Sequence, residues 1–422
     1  MLALGIESRP HATQAKWRTT CIWLFKGRVR VQRKHLLRRA AKTRHSPNGN
    51  NNSYGVCALK KVIIIGGGYG GAMLARKLDE DFDVVLVEPR KAFVHNVAAI
   101  RAIVDPTLMS KIIMPYGKML KRGRVVQARV TEILDEGVFL STGESLEGDY
   151  TIVATGSANA KPFKPIGDDI EEFKTSSALT HAALSGARHV AIVGAGAVGT
   201  ELAGEIATGF PEKSVTLISN VPIFPDYPTS LRKKLRIRFD DVGIRLLEGR
   251  KARLDRFDAA FAGPIVLDDG TTIAADLVIP ALGSKPVINP LAAIAGARLG
   301  KNGRIIVDPW LRPTSRSNLF AFGDMADTGD LMTVAAFVRQ IPFLAKALTA
   351  LDAGIRLETL VAYKPWNISP IVLPVGPKRG ASVLPITKRG LVVGDMLTSL
   401  AKGKSLLITR YRKDFGLKAF LD

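Results

Sequence analysis

The chain has 422 residues, 46% of them hydrophobic, so most of it is expected to fold, in two or three domains. The formal net charge is +22, but residues 1–61 alone carry 14 Lys or Arg against one acid. Both cysteines, Cys21 and Cys57, lie in this N-terminal part, which excludes a disulfide framework or a CxxC redox pair in the rest of the chain. No uncharged apolar run reaches about 18 residues, so no transmembrane helix is expected.

Residues 1–60 are predicted to be a separate basic leader that ends in a polar linker at 46–53. An Arg-rich, acid-poor N-terminus is typical of a mitochondrial transit peptide. A disordered basic extension or a mistaken translation start would look the same. Nucleic acid could be attracted by this charge, but no recognisable binding module accompanies it, so nucleic acid is not expected as a partner.

The stretch from residue 61 to 88 carries the clearest motif. Four β-branched residues at 62–65 predict a buried strand, followed by Gly66-x-Gly68-x-x-Gly71, a helical pattern, and a second strand that ends in Glu88. The first glycine makes the turn, the second admits a pyrophosphate and the third lets the helix pack closely. The helix N-terminus faces the phosphates, and Glu88 can bind a ribose hydroxyl. The residues assigned to this dinucleotide site are Gly66, Gly67, Gly68, Tyr69, Gly70, Gly71 and Glu88.

A second copy of the motif begins 128 residues later, as Gly194-x-Gly196-x-x-Gly199 after a strand at 190–193. Two such units imply two nucleotides, and hence hydride or electron transfer between them. The second unit ends in Ser219-Asn220 instead of an acid, so we interpret it as a site for NADH or NADPH. Lys213 or residues 232–234 could reach a 2′-phosphate there. Alternatively, Ser219 does not determine whether the site binds NADH or NADPH.

Glu201 lies two residues beyond the last glycine of this second motif. A carboxylate in that place could orient a nicotinamide carboxamide near a flavin. The competing interpretation is a favourable position for an acid in the first turn of a helix.

Two shorter motifs follow apolar strands and indicate a flavin. Ala154-Thr155-Gly156 comes about 90 residues after the first glycine motif, where the chain of a two-dinucleotide flavoprotein crosses to its second domain. Gly323-Asp324 ends a later strand, and its carboxylate is predicted to bind a ribityl hydroxyl of FAD, or else to cap a helix. A helical pattern at 331–348 would place its N-terminus under the flavin, and Pro342 is expected to kink or split it.

The segment His95-Asn96-Val97-Ala98-Ala99 falls where such a fold places residues beside the cofactor. His95 could equally be a structural histidine, and Arg101 could pair with a phosphate or lie in solvent. Near the C-terminus, short strands are predicted at 369–375, 381–385 and 391–393. The basic, amphipathic end at 402–422 is expected to pack as a domain helix, or to touch a membrane surface.

With these motifs in place, the chain resembles the apoptosis-inducing-factor-like flavoproteins, in the ferroptosis-suppressor branch, also called the mitochondrion-associated inducer of death. The resemblance covers residues 61–415 and is carried by both glycine motifs, by residues 95–101, by 211–218 and by Gly323-Asp324. It implies a glutathione-reductase-like core and NAD(P)H-dependent reduction of a quinone. It also implies FAD bound at 66–70, at Arg101, through the backbone of Val125, and at Asp324.

We therefore predict an α/β protein with two Rossmann-like dinucleotide-binding domains, the second inserted in the first. The expected FAD domain comprises residues 61–160 and 300–360, the NAD(P)H domain 161–299, and a small α+β region 361–422. The candidate catalytic residues are Glu201, His95 and Asn96, with Thr155 and Gly156 near the cofactor and no metal.

Two alternatives to quinone reduction stay open. One is electron transfer to a ferredoxin-type protein, and the other is a non-enzymatic flavoprotein that acts in cell death or binds nucleic acid. The expected location is intracellular, either cytoplasmic and membrane-associated, or mitochondrial if the leader is a transit peptide.

Overall fold

The computed structural model describes residues 58–419, so the predicted leader with Cys21 and Cys57 lies outside the described residues. The description begins just before the first predicted strand, Lys61–Ile65, which the structure confirms. Its four β-branched residues are buried on both faces of the sheet, as the continuous apolar pattern predicts.

The first module is built on a five-stranded parallel sheet with Lys61–Ile65 at its centre. The helix Tyr69–Leu78 connects this strand to its neighbour Asp83–Val87 in a βαβ unit, and the two strands pair in parallel. Because the carboxyl ends of parallel strands meet at one edge, the glycine turn, Glu88 and Gly323 all come to that edge. The strands, in spatial order, are Leu319–Ala321, Tyr150–Val153, Lys61–Ile65, Asp83–Val87 and Arg124–Val126.

The second module repeats this arrangement around the strand His189–Val193. The helix Ala197–Gly209 leads to the parallel strand Ser214–Ser219, so the second βαβ unit predicted from the sequence is confirmed. The spatial order of its strands is Ile244–Glu248, Ser214–Ser219, His189–Val193 and Leu277–Pro280. Two sheets of this kind in one chain form the predicted two-dinucleotide α/β fold.

Two antiparallel crossing segments join the modules. Ser157–Ala158 leaves the first module and pairs with Lys285–Pro286, which returns from the second. The hydroxyl of Thr155 donates to the carbonyl of Val287, and the N–H of Val287 donates to the carbonyl of Gly156 (2.9 Å). The second module is therefore an insertion in the first.

The C-terminal region adds the antiparallel sheet Ile371–Val375, Arg379–Leu384 and Leu391–Val393, close to the predicted strands. A π-helical turn, Ser399–Gly403, and the helix Ile408–Asp414 follow. Phe415 is buried and stacks on Phe93 of the first module, with ring centroids 4.7 Å apart. Within the described part of this end, Leu406, Ile408, Tyr411 and Phe415 are buried, which agrees with packing against the domain; Phe420 lies outside the described residues.

The helix Val334–Asp352 runs without a break through Pro342, so of the two expected effects, a kink or a split, the split is wrong. The bond lost at the proline nitrogen is offset by packing, because Leu344, Ala347 and Leu348 are buried in the core of the first module. Within residues 58–419 this helix alone is long and apolar enough to cross a membrane by length and composition. Its buried face is that of a core helix.

The remaining elements complete the two modules. The further helices are Asn96–Ala102, Met109–Ile112, Ile170–Gly186, Thr229–Asp241 and Asp395–Thr398, with single 3-10 turns at Pro106–Leu108, Tyr116–Lys118, Leu291–Ala293, Gly323–Met325 and Leu357–Thr359. The further strands are Ala92–Val94, Ile113–Pro115, Val130–Leu134, Gly137–Leu140, Ser145–Glu147, Ala252–Arg253, Ile265–Leu267, Thr272–Ile273, Ile305–Ile306 and Ala326–Asp327. Leu291 packs in the same core as Ile63, so the chain already contacts the first module before residue 300.

Candidate functional site

The first glycine turn forms a cradle in which Gly66 and Gly71 have no room for a larger residue. Gly66 has φ +102°, and a Cβ there would lie 2.6 Å from the carbonyl oxygen of Ala154. A Cβ on Gly71 would overlap the carbonyl of Gly66, whereas one on Gly68 would meet no atom within 4 Å. Open space above Gly68, at the N-terminus of the helix Tyr69–Leu78, is what a pyrophosphate needs.

Glu88 closes one side of this cradle. It is buried at the end of the second strand and accepts hydrogen bonds from the Gly67 N–H and the Arg90 Nε, both at 2.6 Å. The hydroxyl of Tyr116 donates to the carbonyl of Gly67 (2.8 Å), so the turn is braced from two directions. Val125 lies in the edge strand Arg124–Val126, beside the strand that precedes Glu88. Neither Arg90 nor Tyr116 belongs to a recognisable motif, and sequence reasoning missed both.

Asp324 lies at the same edge of the sheet, in a turn held by side chains from distant parts of the chain. The Ser157 hydroxyl donates to its Oδ2 (2.6 Å), and the Lys164 Nζ lies 3.5 Å from that oxygen. Burial lowers the pKa of Lys164, and the charge of Asp324 opposes this shift. The preceding Gly323 has φ +80°, and its N–H donates to the Oε1 of the buried Gln340 (3.0 Å).

Four buried side-chain oxygens have no hydrogen-bond partner within residues 58–419, and two of them are Asn96 Oδ1 and Thr333 Oγ1. Asn96 begins the helix that follows His95, and Thr333 is the N-cap of the helix Val334–Asp352. A buried polar atom without a hydrogen bond is costly, so each of these two atoms would gain from a polar ligand that bonds to it. Together with the glycine cradle and Asp324, they fit a bound FAD.

The second glycine turn repeats the first. Gly194 has φ +109°, a Cβ on Gly199 would overlap the Gly194 carbonyl, and a Cβ on Gly196 would meet nothing within 4 Å. Lys213 does not reach this turn, because its Nζ donates to the carbonyl of Ala187 (2.6 Å) at the opposite edge of the sheet. The prediction that Lys213 could bind a 2′-phosphate is therefore wrong.

Glu201 lies in the helix that follows this second turn and forms a buried ion pair. Its Oε1 is 2.5 Å from the Nζ of Lys402, which comes from the C-terminal π-helical turn. Burial raises the pKa of Glu201, and the ammonium of Lys402 opposes that rise. The predicted catalytic residue is thus held by a lysine that sequence reasoning did not select, since 201 residues separate the two.

One helical turn further on, Glu205 forms a second ion pair with Arg101. The two carboxylate oxygens accept from the Arg101 Nε (2.7 Å) and from one terminal nitrogen (2.8 Å), in a bidentate arrangement. The same guanidinium donates to the carbonyls of Gly403 (2.5 Å) and Lys404 (3.1 Å). Most of its donors are engaged within the protein, so the structure places Arg101 between the two modules and the C-terminal segment. The predicted FAD contact of Arg101 stays a prediction.

His95 is fully buried and bonded through both ring nitrogens. Its Nε2 lies 2.7 Å from the carbonyl of Leu406, which can only accept, so Nε2 carries the proton. Its Nδ1 therefore accepts from the hydroxyl of Tyr69 (2.8 Å), which itself accepts from the Val97 N–H (3.1 Å). Burial, with the charge of Lys402 adding to it, lowers the pKa of His95 to about 4. His95 is neutral at physiological pH and positions Tyr69 at the first helix.

The C-terminal segment is held against these residues in a strained conformation. Leu406 and Leu407 have φ +48° and +63°, a region that leucine rarely adopts. Such strain persists only where the surroundings enforce it. Here the buried side chain of Leu406 and its carbonyl bond to His95 do so. The segment from Ser399 to Leu407 therefore belongs to the site, and it brings Lys402 to Glu201.

The buried His95 predicts a specific loss of stability in acid. Because its folded pKa of about 4 lies below the ordinary 6.5, the unfolded chain takes up the proton first as the pH falls. The contribution of the neutral, buried His95 to the free energy of unfolding is present above pH 6.5 and is lost as the pH falls towards 4. Between pH 7 and pH 5, urea unfolding should show the parent losing about 2 kcal/mol more than His95→Gln. Equal pH dependence of the parent and His95→Gln would contradict this account.

Comparison with known proteins agrees with this geometry. The pyridine nucleotide-disulphide oxidoreductase family matches residues 60–340, and the chain belongs to that family. It is an oxidoreductase that uses FAD and NAD(P)H, as both nucleotide cradles indicate.

The relatives narrow the class further. Apoptosis-inducing factor homolog B of Dictyostelium discoideum is 30% identical over 83% of this chain and 96% of its own length. Ferroptosis suppressor protein 1 of Homo sapiens is 29% identical over 82% of this chain and 94% of its own. The resemblance to this branch, predicted from the motifs, is confirmed.

Solved structures confirm the fold. The reduced CoADR-RHD of Bacillus anthracis superposes with a TM-score of 0.61 at 20% identity over 77% of this chain, although the match spans only 61% of that protein. A ferredoxin reductase of the CYP199A2 system from Rhodopseudomonas palustris gives a TM-score of 0.56 at 22% identity, with coverage of 72% and 78%.

Proposed function

We propose that this protein passes electrons from NAD(P)H, through FAD, directly to a quinone-type acceptor. The proposal rests on one observation: the chain has two complete nucleotide cradles and no cysteine after Cys57. Residues 58–422 hold no cysteine for disulfide chemistry, so we infer that electrons leave the flavin for an external molecule.

The surroundings of the first cradle favour an apolar acceptor. The ring of Phe337 lies 2.9 Å from where a Cβ on Gly70 would be, so the start of the helix Val334–Asp352 adjoins this cradle. Leu331 and Val338, at that end, are 50% and 47% exposed. Exposed apolar side chains beside a cofactor cradle suit a planar, apolar molecule such as a quinone.

The residues of this chain would bind the two nucleotides and orient them relative to each other. The first cradle with Glu88 and Asp324 would hold FAD, and the second would hold the pyrophosphate of NAD(P)H. When bound, FAD supplies the redox chemistry, taking hydride from the nicotinamide and releasing electrons to the acceptor. The carboxylate of Glu201 would accept from the nicotinamide carboxamide, and the charge of its partner Lys402 favours the ionised form. The packed C-terminal segment excludes water from this pair.

The test is in two parts on the FAD-loaded full chain. Stopped-flow bleaching with NADH and with NADPH asks whether the flavin is reduced, and steady-state turnover compares ubiquinone analogues with a ferredoxin-type protein. Bleaching followed by quinone turnover is the expected result. A flavin that stays oxidised with both nicotinamides would rule out the enzyme, and turnover with the iron–sulfur protein alone would replace the quinone by a protein acceptor.

A surface variant tests where the acceptor binds. Leu331→Glu places a charge among the exposed apolar side chains at the start of the helix Val334–Asp352 and is expected to raise the KM for the quinone about tenfold, with flavin reduction by NAD(P)H unchanged. The matched control is Leu179→Glu, at an exposed leucine in the helix Ile170–Gly186. Equal effects of the two variants would place the quinone elsewhere.

A further inference from the structure

In the second module, the strand that would end beside a nucleotide ribose does not end in an acid. The strand Ser214–Ser219 ends in a serine and is followed by the exposed Asn220, where an acid would bind a 2′-OH. The Ser219 hydroxyl donates to the carbonyl of Val221 (2.7 Å). A neutral edge of this kind does not repel a phosphate.

An arginine from the neighbouring strand comes to the same edge. Ile244–Glu248 pairs in parallel with Ser214–Ser219, so that Glu248 lies opposite Ser219. Two residues later, the N–H of Arg250 donates to the carbonyl of Ser219 (3.0 Å). This bond fixes the backbone of Arg250 directly beside the end of the nucleotide-binding strand.

The charge of Arg250 can be redirected to a ligand. Its guanidinium contacts Asp269, and the two side chains remain 40% and 35% exposed. Exposed pairs of this kind contribute little, so a phosphate can compete for the guanidinium and be held by two parallel hydrogen bonds. The nearby acid Glu248 is neutralised, since it accepts from the Ile223 N–H (2.7 Å) and pairs with Arg236.

We propose that Arg250, beside the exposed Asn220, forms a subsite for the 2′-phosphate of NADPH, which makes NADPH the preferred hydride donor. Arg232, one of the basic residues considered from the sequence, is engaged elsewhere, because it donates to the carbonyls of Phe224 and Pro225. The subsite rests on the proposed function only in that the second cradle receives the donor nucleotide.

The probe is a pair of nucleotides that lack nicotinamide. Binding of 2′,5′-ADP and of 5′-ADP to the FAD-loaded full chain is measured by calorimetry. The parent should bind 2′,5′-ADP at least about tenfold more tightly. Arg250→Gln should remove about that factor for 2′,5′-ADP and change 5′-ADP by less than about twofold. Because flavin reduction is not measured, failure of the proposed enzyme activity leaves this result interpretable.

The matched control is Arg245→Gln, at an exposed arginine in the strand Ile244–Glu248. It lies roughly 15 Å from Arg250 along the chain, towards the opposite edge of the sheet, and should leave both affinities unchanged. A second variant, Asn220→Asp, adds a charge without touching Arg250 and should weaken 2′,5′-ADP selectively. Equal affinities in the parent would overturn the subsite. So would a loss in Arg250→Gln that is the same for both nucleotides or is matched by Arg245→Gln.

Discussion

Replacing Lys402 by methionine is expected to destabilise the protein by about 3 kcal/mol at neutral pH, because the buried Glu201 loses the charge that opposes its desolvation. The ion pair joins the helix of the second nucleotide turn to the C-terminal π-helical turn at 2.5 Å. Both side chains are largely buried, so water does not replace the lost ammonium. Urea unfolding of the FAD-loaded protein measures the effect.

The pH dependence identifies the cause. Burial already raises the pKa of Glu201 above its ordinary 4.5, and removal of Lys402 takes away the charge that opposes the rise. In Lys402→Met the folded carboxyl therefore binds its proton more tightly than the unfolded one. The loss of stability relative to the parent grows as the pH rises above about 4.5. It shrinks as the pH falls, because Glu201 then becomes neutral in both the folded and the unfolded chain.

Two further variants separate this mechanism from a general packing defect. Glu201→Gln/Lys402→Met has no buried charge and should recover most of the lost stability. Lys404→Met makes the same change two residues away at an exposed side chain and keeps the carbonyl that binds Arg101, so it should resemble the parent. A double variant as unstable as Lys402→Met would show that the lysine matters for packing and not for its charge.

The glycines of the first turn are expected to respond in opposite ways to the same added methyl group. Gly71→Ala drives a Cβ into the backbone carbonyl of Gly66, which cannot move without breaking the βαβ unit. We expect little folded protein. Gly68→Ala meets no protein atom and should fold with near-parental secondary structure. Its methyl group occupies the space of the pyrophosphate, so FAD should be lost on gel filtration.

The same substitution in the second turn distinguishes the two cofactors. Gly196→Ala also meets no atom within 4 Å and should keep its FAD and its melting temperature. Its affinity for NAD(P)H should fall at least about tenfold, seen as slower flavin bleaching at low nucleotide concentration. If Gly68→Ala kept its flavin, or Gly196→Ala lost it, the assignment of the first turn to FAD and the second to NAD(P)H would be wrong.

The amino-acid sequence by itself determined both nucleotide turns and their order. A strand, three glycines, a helix and a second strand are local features, and the conformation that Gly66 or Gly194 requires is encoded within a few residues. The crossing at Thr155-Gly156 and the turn at Gly323-Asp324 follow short apolar strands and could be recognised in the same way. The continuous helix through Pro342 could not, because packing outweighed a local preference.

Only the tertiary structure decided which side chains meet. Lys402 pairs with Glu201 across 201 residues, His95 with Leu406 across 311, and Arg101 with Glu205 across 104. Neither Lys402 nor Leu406 belongs to a motif, and a lysine in a basic tail looks alike in the sequence whether it is solvated or buried. Their contacts depend on how the C-terminal segment closes over both modules. That closure is set by burial of Leu406, Tyr411 and Phe415, which one local stretch of sequence cannot reveal.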